Sequence, residues 1–247
     1  MWKRMHWASA WLVVMVIALC VGSAEGSTIS GLWIKLSGIG GTKTETDGGA
    51  GDVDGMADGQ IHFPPSTTPP GSLICVNAID PTKPIVTSSG TTSSFNLTLT
   101  NVEIVAKVDG ASGLIQIGAM WNHAAFSGNL NVNVDGFATT GSTTDRHIIS
   151  AGSSVSPPVL GPEASTVVDH SGTGAFSGSN SSPMVLPAGT HQVLFTMSFS
   201  LDKAGNTLFF PNSGDAFAAP FAVPAPGAGL AGLGLMSLVV GRRRRMN

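Results

Sequence analysis

The chain has 247 residues, of which 42% are hydrophobic and 11% charged, with 32 Gly, 15 Pro and no Tyr. So small a charged fraction excludes a coiled coil or helical bundle, which is rich in Ala, Glu, Lys, Leu and Arg. The hydrophobic content and a net charge of only −3 exclude a charged, disordered chain.

Residues 1–24 have the pattern of a secretory signal peptide. A basic start precedes an apolar run over residues 8–21, and the small residues Gly22 and Ala24 occupy positions −3 and −1 of a cleavage site after Ala24. The apolar run is shorter than the ~20 residues of a membrane-spanning helix. We therefore expect cleavage rather than an uncleaved anchor.

Residues 25–215 are predicted to form an exported all-β body, an antiparallel β-sandwich or jelly-roll. Apolar and polar residues alternate over Asn129–Asp135 and over Gln192–Leu201, as in half-buried strands. Over residues 95–108 the alternation changes register, which predicts a bulge or tight turn near Asn101. Further strands are predicted at 29–36, 61–63, 73–79, 114–119, 147–150 and 207–210. Two poorly patterned stretches, Gly38–Gln60 and Gly152–Ser182, are predicted to be loops or inserts.

The exported part is acidic. All 15 acidic residues of the chain lie in residues 25–215 with only six basic ones, giving a net charge of −9. Nucleic-acid binding requires a basic surface, so we expect no nucleic-acid partner. Removal of the signal peptide leaves Cys75 without a second cysteine, and we interpret it as a buried, inert thiol.

An acidic, glycine-rich string occupies residues 47–59, with four Asp and five Gly in 13 residues. Calcium takes six to eight oxygen ligands on a flexible loop, and Asp52, Asp54 and Asp58 are the candidate ligands here. The EF-hand pattern is incomplete because its closing Glu is missing. The simpler interpretation is a solvated acidic loop without a metal.

No constellation of residues predicts catalysis. The histidines lack the spacing of a zinc site. Asp169, His170 and Ser171 have the residue types of a hydrolase triad, but neighbours on a strand point to opposite faces. Among the acidic residues, nothing selects the close carboxylate pair of a glycosidase. We interpret Trp121 as a core residue rather than a sugar-stacking platform, and we expect no enzyme.

The C-terminal segment 216–247 has three parts. Residues 216–241 carry no charge, and Arg242, Arg243, Arg244 and Arg245 follow at once. Prolines break the first part, so a helix is predicted only over about 227–241. The arginines belong on the cytoplasmic side of a membrane by the positive-inside rule.

Pro224, Ala225 and Pro226, the apolar helix and the arginine cluster together resemble the PEP-CTERM sorting domain, a C-terminal tag of bacterial proteins. The family usually has Glu where Ala225 stands. The resemblance covers this tail alone. It implies recognition of residues 224–226 by an exosortase-like processing enzyme, a membrane helix held by Arg242–Arg245, and a Gram-negative bacterium that makes extracellular polysaccharide.

The sequence therefore predicts an exported, non-enzymatic protein of the cell surface or extracellular matrix, associated with exopolysaccharide or biofilm. It is either anchored in the membrane by its C-terminal helix or released after processing. Two other functions remain open, a calcium-dependent or lectin-like carbohydrate-binding adhesion module and a secreted glycan-degrading enzyme.

Overall fold

A computed structural model of the protein describes residues 29–38, 41–64, 73–156, 163–210 and 214–215. The predicted signal peptide and the predicted sorting tail lie outside these residues. Over the described residues the chain is all-β, with strands joined by turns and no helix. This confirms the predicted all-β class of the body.

The described residues form fifteen strands in three antiparallel sheets. The strands are β1 Ile29–Gly38, β2 Gly41–Thr46, β3 Gln60–Ile61, β4 Ile74–Ala78, β5 Val86–Thr91, β6 Ser94–Leu99, β7 Val102–Ala106, β8 Ala111–His123, β9 Phe126–Thr139, β10 Arg146–Ser156, β11 Glu163–Ser171, β12 Gly174–Leu186, β13 Gly189–Leu201, β14 Thr207–Phe210 and β15 Gly214–Asp215. The six-stranded sheet has the order β11-β10-β13-β8-β1-β2. A five-stranded sheet has the order β12-β9-β14-β7-β4, and a four-stranded sheet has the order β15-β6-β5-β3.

The inward residues of all three sheets form one buried core, consistent with a β-sandwich. The alternation predicted for β9 is confirmed, since Leu130, Val132 and Val134 are all buried. In β13 the buried positions run from Val193 to Leu201 at every second residue, also as predicted. Strands buried on one face form in this way because successive side chains point to opposite sides of the sheet.

The register shift near Asn101 is a tight turn between β6 and β7. Asn101 has φ of 58°, a left-handed conformation that Asn tolerates better than most residues. Its side chain is buried, and its Oδ1 accepts a hydrogen bond from Asp80 N at 2.8 Å. The turn carries the chain from the four-stranded to the five-stranded sheet, so the apolar residues of both strands reach the same core.

The prediction of loops in the two poorly patterned stretches was wrong in part, because strands occupy much of both, although residues 47–59 do form a loop. Gly38–Gln60 contains β2, an edge strand paired with β1. Its inward side chains Lys43 and Glu45 are polar and form an ion pair at 2.9 Å, so no apolar alternation marks the strand.

Gly152–Ser182 contains the end of β10, all of β11 and most of β12. These strands bury few large side chains, and Ser, Gly and Ala fill most of their positions. Their pairing relies on long backbone ladders, from Arg146 to Ser154 with β11 and along the whole of β12 with β9. Hydrophobic periodicity cannot reveal such strands.

Candidate functional site

The outer face of the six-stranded sheet carries the most site-like surface of the described residues. Leu32, Ile34 and Leu36 of β1 point into the core, so Trp33 and Lys35 point outward. Trp33 is paired in register with Gly118 of β8, and Gly118 is paired with Leu194 of β13. These residues form one row across three strands.

Gly118 makes room for the Trp33 indole. A Cβ placed on Gly118 would lie 2.4 Å from Trp33 Cζ2 and 2.7 Å from Trp33 Nε1, so no larger residue fits beneath this ring. The indole covers Gly118, which is buried although it belongs to the outer face. An aromatic ring packed over a glycine of the neighbouring strand also stabilises the pairing.

The rest of the indole remains available for contact. Trp33 is half-buried, and its Nε1 donates to no described acceptor. The next row of the outer face is polar, with Lys35 paired to Gln116 and Gln116 paired to Thr196. Met120 lies beyond Gly118 on the same face and is 36% exposed.

A shallow groove of about 550 Å³ lies further along the same face. Its lining includes Ser37, Ser112, Leu114, Ile148, Ser198 and Ser200. An aromatic platform beside a groove lined with hydroxyl groups combines apolar contact with hydrogen-bonding groups, as ligand sites do.

Trp121 is a core residue, as the sequence predicts. It is 0% exposed, packs against Phe95 and Phe126, and its Nε1 donates to Thr91 O at 2.8 Å. Cys75 is buried as expected, with its Sγ 3.1 Å from Asn77 Oδ1.

The acidic loop brings two of the three predicted calcium ligands together. Asp52, Asp54 and His62 have ligand atoms within 4.8 Å of one another. The Asp52 carboxylate accepts hydrogen bonds from Gly48 N at 3.0 Å and His62 N at 2.9 Å, and Asp54 Oδ2 lies 2.9 Å from His62 Nδ1. Burial raises the pKa of Asp52, although both backbone hydrogen bonds oppose this shift.

Asp58 is not part of this group. Its carboxylate accepts from Gln60 N at 3.0 Å, and it lines a separate cleft of about 480 Å³. Asp47 is also occupied within the loop, where it accepts from Asp58 N and Gly59 N. Two carboxylates with an imidazole suit a transition metal better than calcium, which takes oxygen ligands. The calcium site remains a prediction.

The fold pairs histidines that are far apart in sequence. His123 and His191 are buried, with His123 Nε2 2.7 Å from His191 Nδ1. His123 Nδ1 lies 2.6 Å from Ala124 O and must donate to it, so His191 Nδ1 donates to His123 Nε2 when both rings are neutral. Burial is the main cause that lowers the pKa of His123, and the nearby His191 adds to the shift. Sequence spacing does not reveal this pair, because the pairing of β8 with β13 brings the two histidines together.

The triad-like string does not converge. Asp169 forms an ion pair with Arg146 on the outer face of β11. His170 points to the opposite face, where its ring lies 6.0 Å from that of Phe176. This confirms the expectation that neighbours on this strand diverge.

The predicted sorting residues Pro224, Ala225 and Pro226 and the cluster Arg242–Arg245 lie outside the described residues. The part of the chain that the structure describes contains no helix with the length and apolar character to cross a membrane.

Comparisons with known proteins identify no relatives by sequence. No family model and no curated protein matches the chain. Among solved structures, the carbohydrate-binding module TmCBM61 in complex with β-1,4-galactotriose is 15% identical with a TM-score of 0.27, covering 64% of this chain and 90% of that one. The Cry4Aa toxin of Bacillus thuringiensis is 12% identical with a TM-score of 0.26, covering 79% of this chain and 43% of the toxin.

Tailspike protein 4 of bacteriophage CBA120, represented by its enzymatically active domain, is 11% identical with a TM-score of 0.22. That match covers 59% of this chain and 19% of the tailspike chain. Likenesses this weak do not establish a shared fold.

Proposed function

We propose that the body is a non-catalytic carbohydrate-binding protein that contacts extracellular polysaccharide through the outer face of the six-stranded sheet. The observation that carries this proposal is the half-buried Trp33 indole held over Gly118, beside a polar row on the same face. The core needs no aromatic ring at this position, because Leu32 and Ile34 fill the inner face of the strand.

The chemistry of the face suits a sugar chain. An aromatic face is negatively polarised and packs against the C–H groups of a sugar ring. Lys35, Gln116 and Thr196 in the next row supply hydrogen-bond donors, and Gln116 and Thr196 also supply acceptors. The groove beyond them places serine hydroxyls beside Leu114 and Ile148 along the strands, which fits an extended polymer better than a small molecule.

Affinity electrophoresis of the full-length chain against a panel of bacterial exopolysaccharides tests this proposal. We expect retardation by at least one polysaccharide, and we expect Trp33→Ala to weaken the affinity about tenfold, which corresponds to ~1.4 kcal/mol. Phe137→Ala is the matched control, since Phe137 is 42% exposed on the five-stranded sheet. Equal retardation of the wild type and Trp33→Ala would refute the assignment of this face.

We further propose that the protein is exported and sorted by its termini. The basic and apolar start of residues 1–24 and the ordered motif, helix and arginine cluster of 216–247 support this proposal. An exosortase-like enzyme would recognise residues 224–226 while Arg242–Arg245 hold the helix in the inner membrane. The body would then act at the cell surface or in the matrix.

The intact mass of the protein recovered from membranes and from culture medium tests the sorting proposal. A species that begins near Glu25 and ends at about residues 224–226 is expected. A species found only in membranes and still carrying Arg242–Arg245 would mean a plain C-terminal anchor and would contradict processing.

A further inference from the structure

His147 and His170 face each other across two paired strands. They are direct partners in the ladder between β10 and β11, and both point to the inner side of the six-stranded sheet. Directly opposed residues of antiparallel strands have Cβ atoms about 4.5–5.5 Å apart. Two imidazoles at that spacing can reach a common ligand.

The ring nitrogens of this pair lack partners. His147 is 0% exposed, and neither its Nδ1 nor its Nε2 has a hydrogen-bond partner among the described residues. His170 Nε2 is also buried and has no such partner. Buried polar atoms are almost always hydrogen-bonded, so three partnerless nitrogens on two facing residues require an explanation.

Two carboxylates and the partner imidazole act on His147. Burial lowers the pKa of His147 and the nearby His170 adds to this shift, whereas Asp145, which is buried, and Asp202 oppose it. The nearby basic side chains are already paired, Arg146 with Asp169 and Lys203 with Asp109. No side chain of residue 174 fills the space beside the His170 ring, since a Cβ on Gly174 would lie 3.6 Å from His170 Nε2.

We propose that His147 and His170 bind a divalent transition-metal ion between β10 and β11. Imidazole nitrogens suit Zn²⁺, Cu²⁺ and Ni²⁺, and a Zn–N bond is about 2.0–2.1 Å long. The ion binds the buried imidazole nitrogens that have no hydrogen-bond partner among the described residues, and it links the edge strand β11 to β10. This site is separate from the Asp52–Asp54–His62 group and from the Trp33 face.

Thermal unfolding of the full-length chain, purified in detergent and stripped of metal with EDTA, tests the proposal with Zn²⁺ as the probe. At a hundredfold excess of Zn²⁺ over its dissociation constant, we expect the Tm to rise by about 5–10 °C. Ca²⁺ at the same concentration should leave the Tm unchanged. Because the Asp52–Asp54–His62 group also suits a transition metal, the histidine variants are made in an Asp54→Asn background, which should itself retain the Zn²⁺-dependent rise. His170→Gln in that background should abolish the rise.

His147→Leu provides a second test that does not depend on the folding of His170→Gln. Leucine replaces partnerless nitrogens with apolar atoms, so the metal-free variant should be at least as stable as the wild type while losing the response to Zn²⁺. The proposal is overturned if the wild type shows no Zn²⁺-dependent rise. It is equally overturned if the rise persists in both histidine variants or disappears in Asp54→Asn.

Discussion

Trp121 and Trp33, the two tryptophans of the all-β body, occupy opposite sides of the same sheet, because alternate residues of a strand point to opposite faces. Trp121 is fully buried, packs against Phe95 and Phe126, and donates its Nε1 proton to Thr91 O. Trp33 is half-buried on the outer face, lies over Gly118, and has no described acceptor for its Nε1 proton. The first has every feature of a core residue, whereas the second retains an unused face and an unused donor.

The comparison shows that an aromatic residue available for binding is identified by the ring face and the hydrogen-bond donor that its neighbours do not contact. Gly118 is the decisive neighbour of Trp33, because any side chain there would displace the indole. At Trp121 neighbouring aromatic rings pack against the indole, and Thr91 O accepts the hydrogen bond from its Nε1. The experiments below test this difference between the two environments.

Truncation of the two tryptophans should have the largest and most unequal effect. We expect Trp121→Ala to lower the free energy of unfolding by about 3–5 kcal/mol, because it leaves a cavity in the core. Trp33→Ala should cost less, about 1–2 kcal/mol, because the indole lies on the outer face and is only half-buried. Urea unfolding followed by circular dichroism measures both. Equal losses would break the distinction between core and surface.

Replacement by Phe isolates the role of the indole N–H. Trp121→Phe removes the hydrogen bond that Nε1 donates to Thr91 O, so we expect a loss of roughly 0.5–1.5 kcal/mol in the free energy of unfolding. Trp33→Phe removes a donor that has no described acceptor and should change stability by less than about 0.5 kcal/mol. A larger loss in Trp33→Phe than in Trp121→Phe would contradict this account.

Gly118→Ala tests the platform without changing the tryptophan. The new Cβ would lie 2.4 Å from Trp33 Cζ2, so the indole must move. We expect a cost of about 1 kcal/mol in stability, together with weakened polysaccharide retardation. Gly152→Ala is the control, since a Cβ there has only one neighbour within 4 Å, at 3.7 Å. Unchanged retardation in Gly118→Ala would argue against a role for the indole.

Acidification should have the smallest of these effects, a modest fall in the free energy of unfolding caused by protonation near Trp121. Burial lowers the pKa of His123, which stacks on Trp121, below the ordinary value of 6.5. The unfolded chain then binds a proton that the folded chain resists, so the free energy of unfolding is constant above about pH 6.5 and falls below it. Unfolding midpoints between pH 7.5 and 5 measure this fall in the presence of EDTA. His123→Gln should reduce the slope, and an unchanged slope would exclude His123 as its source.

Strands with apolar alternation could be predicted from the sequence, and the rest could not. Large apolar side chains occupy every second position of β9 and β13 and on both sides of Asn101, so the two strands and the turn could be predicted. β2 and β12 were missed because ion-paired or small side chains occupy theirs. Their pairing is determined by partner strands elsewhere in the chain, and local periodicity carries no information about those partners.

The candidate site depends in the same way on register. The outward direction of Trp33 follows from its alternation with Leu32 and Ile34, but its contact with Gly118 requires the pairing of β1 with β8. The facing of His147 and His170 likewise requires the β10–β11 register. For the acidic loop, the sequence indicated Asp52 and Asp54 but missed His62, which a backbone hydrogen bond to Asp52 brings close.

Hydroxyl-radical footprinting of the full-length chain, with and without a retarding polysaccharide, tests the central claim most directly. The account predicts that the polysaccharide protects Trp33, Met120 and Leu194 on the six-stranded sheet, while Phe137 and Val185 on the five-stranded sheet remain equally labelled. Protection of Phe137 and Val185 with Trp33 unchanged would contradict it and would move the binding surface to the opposite face.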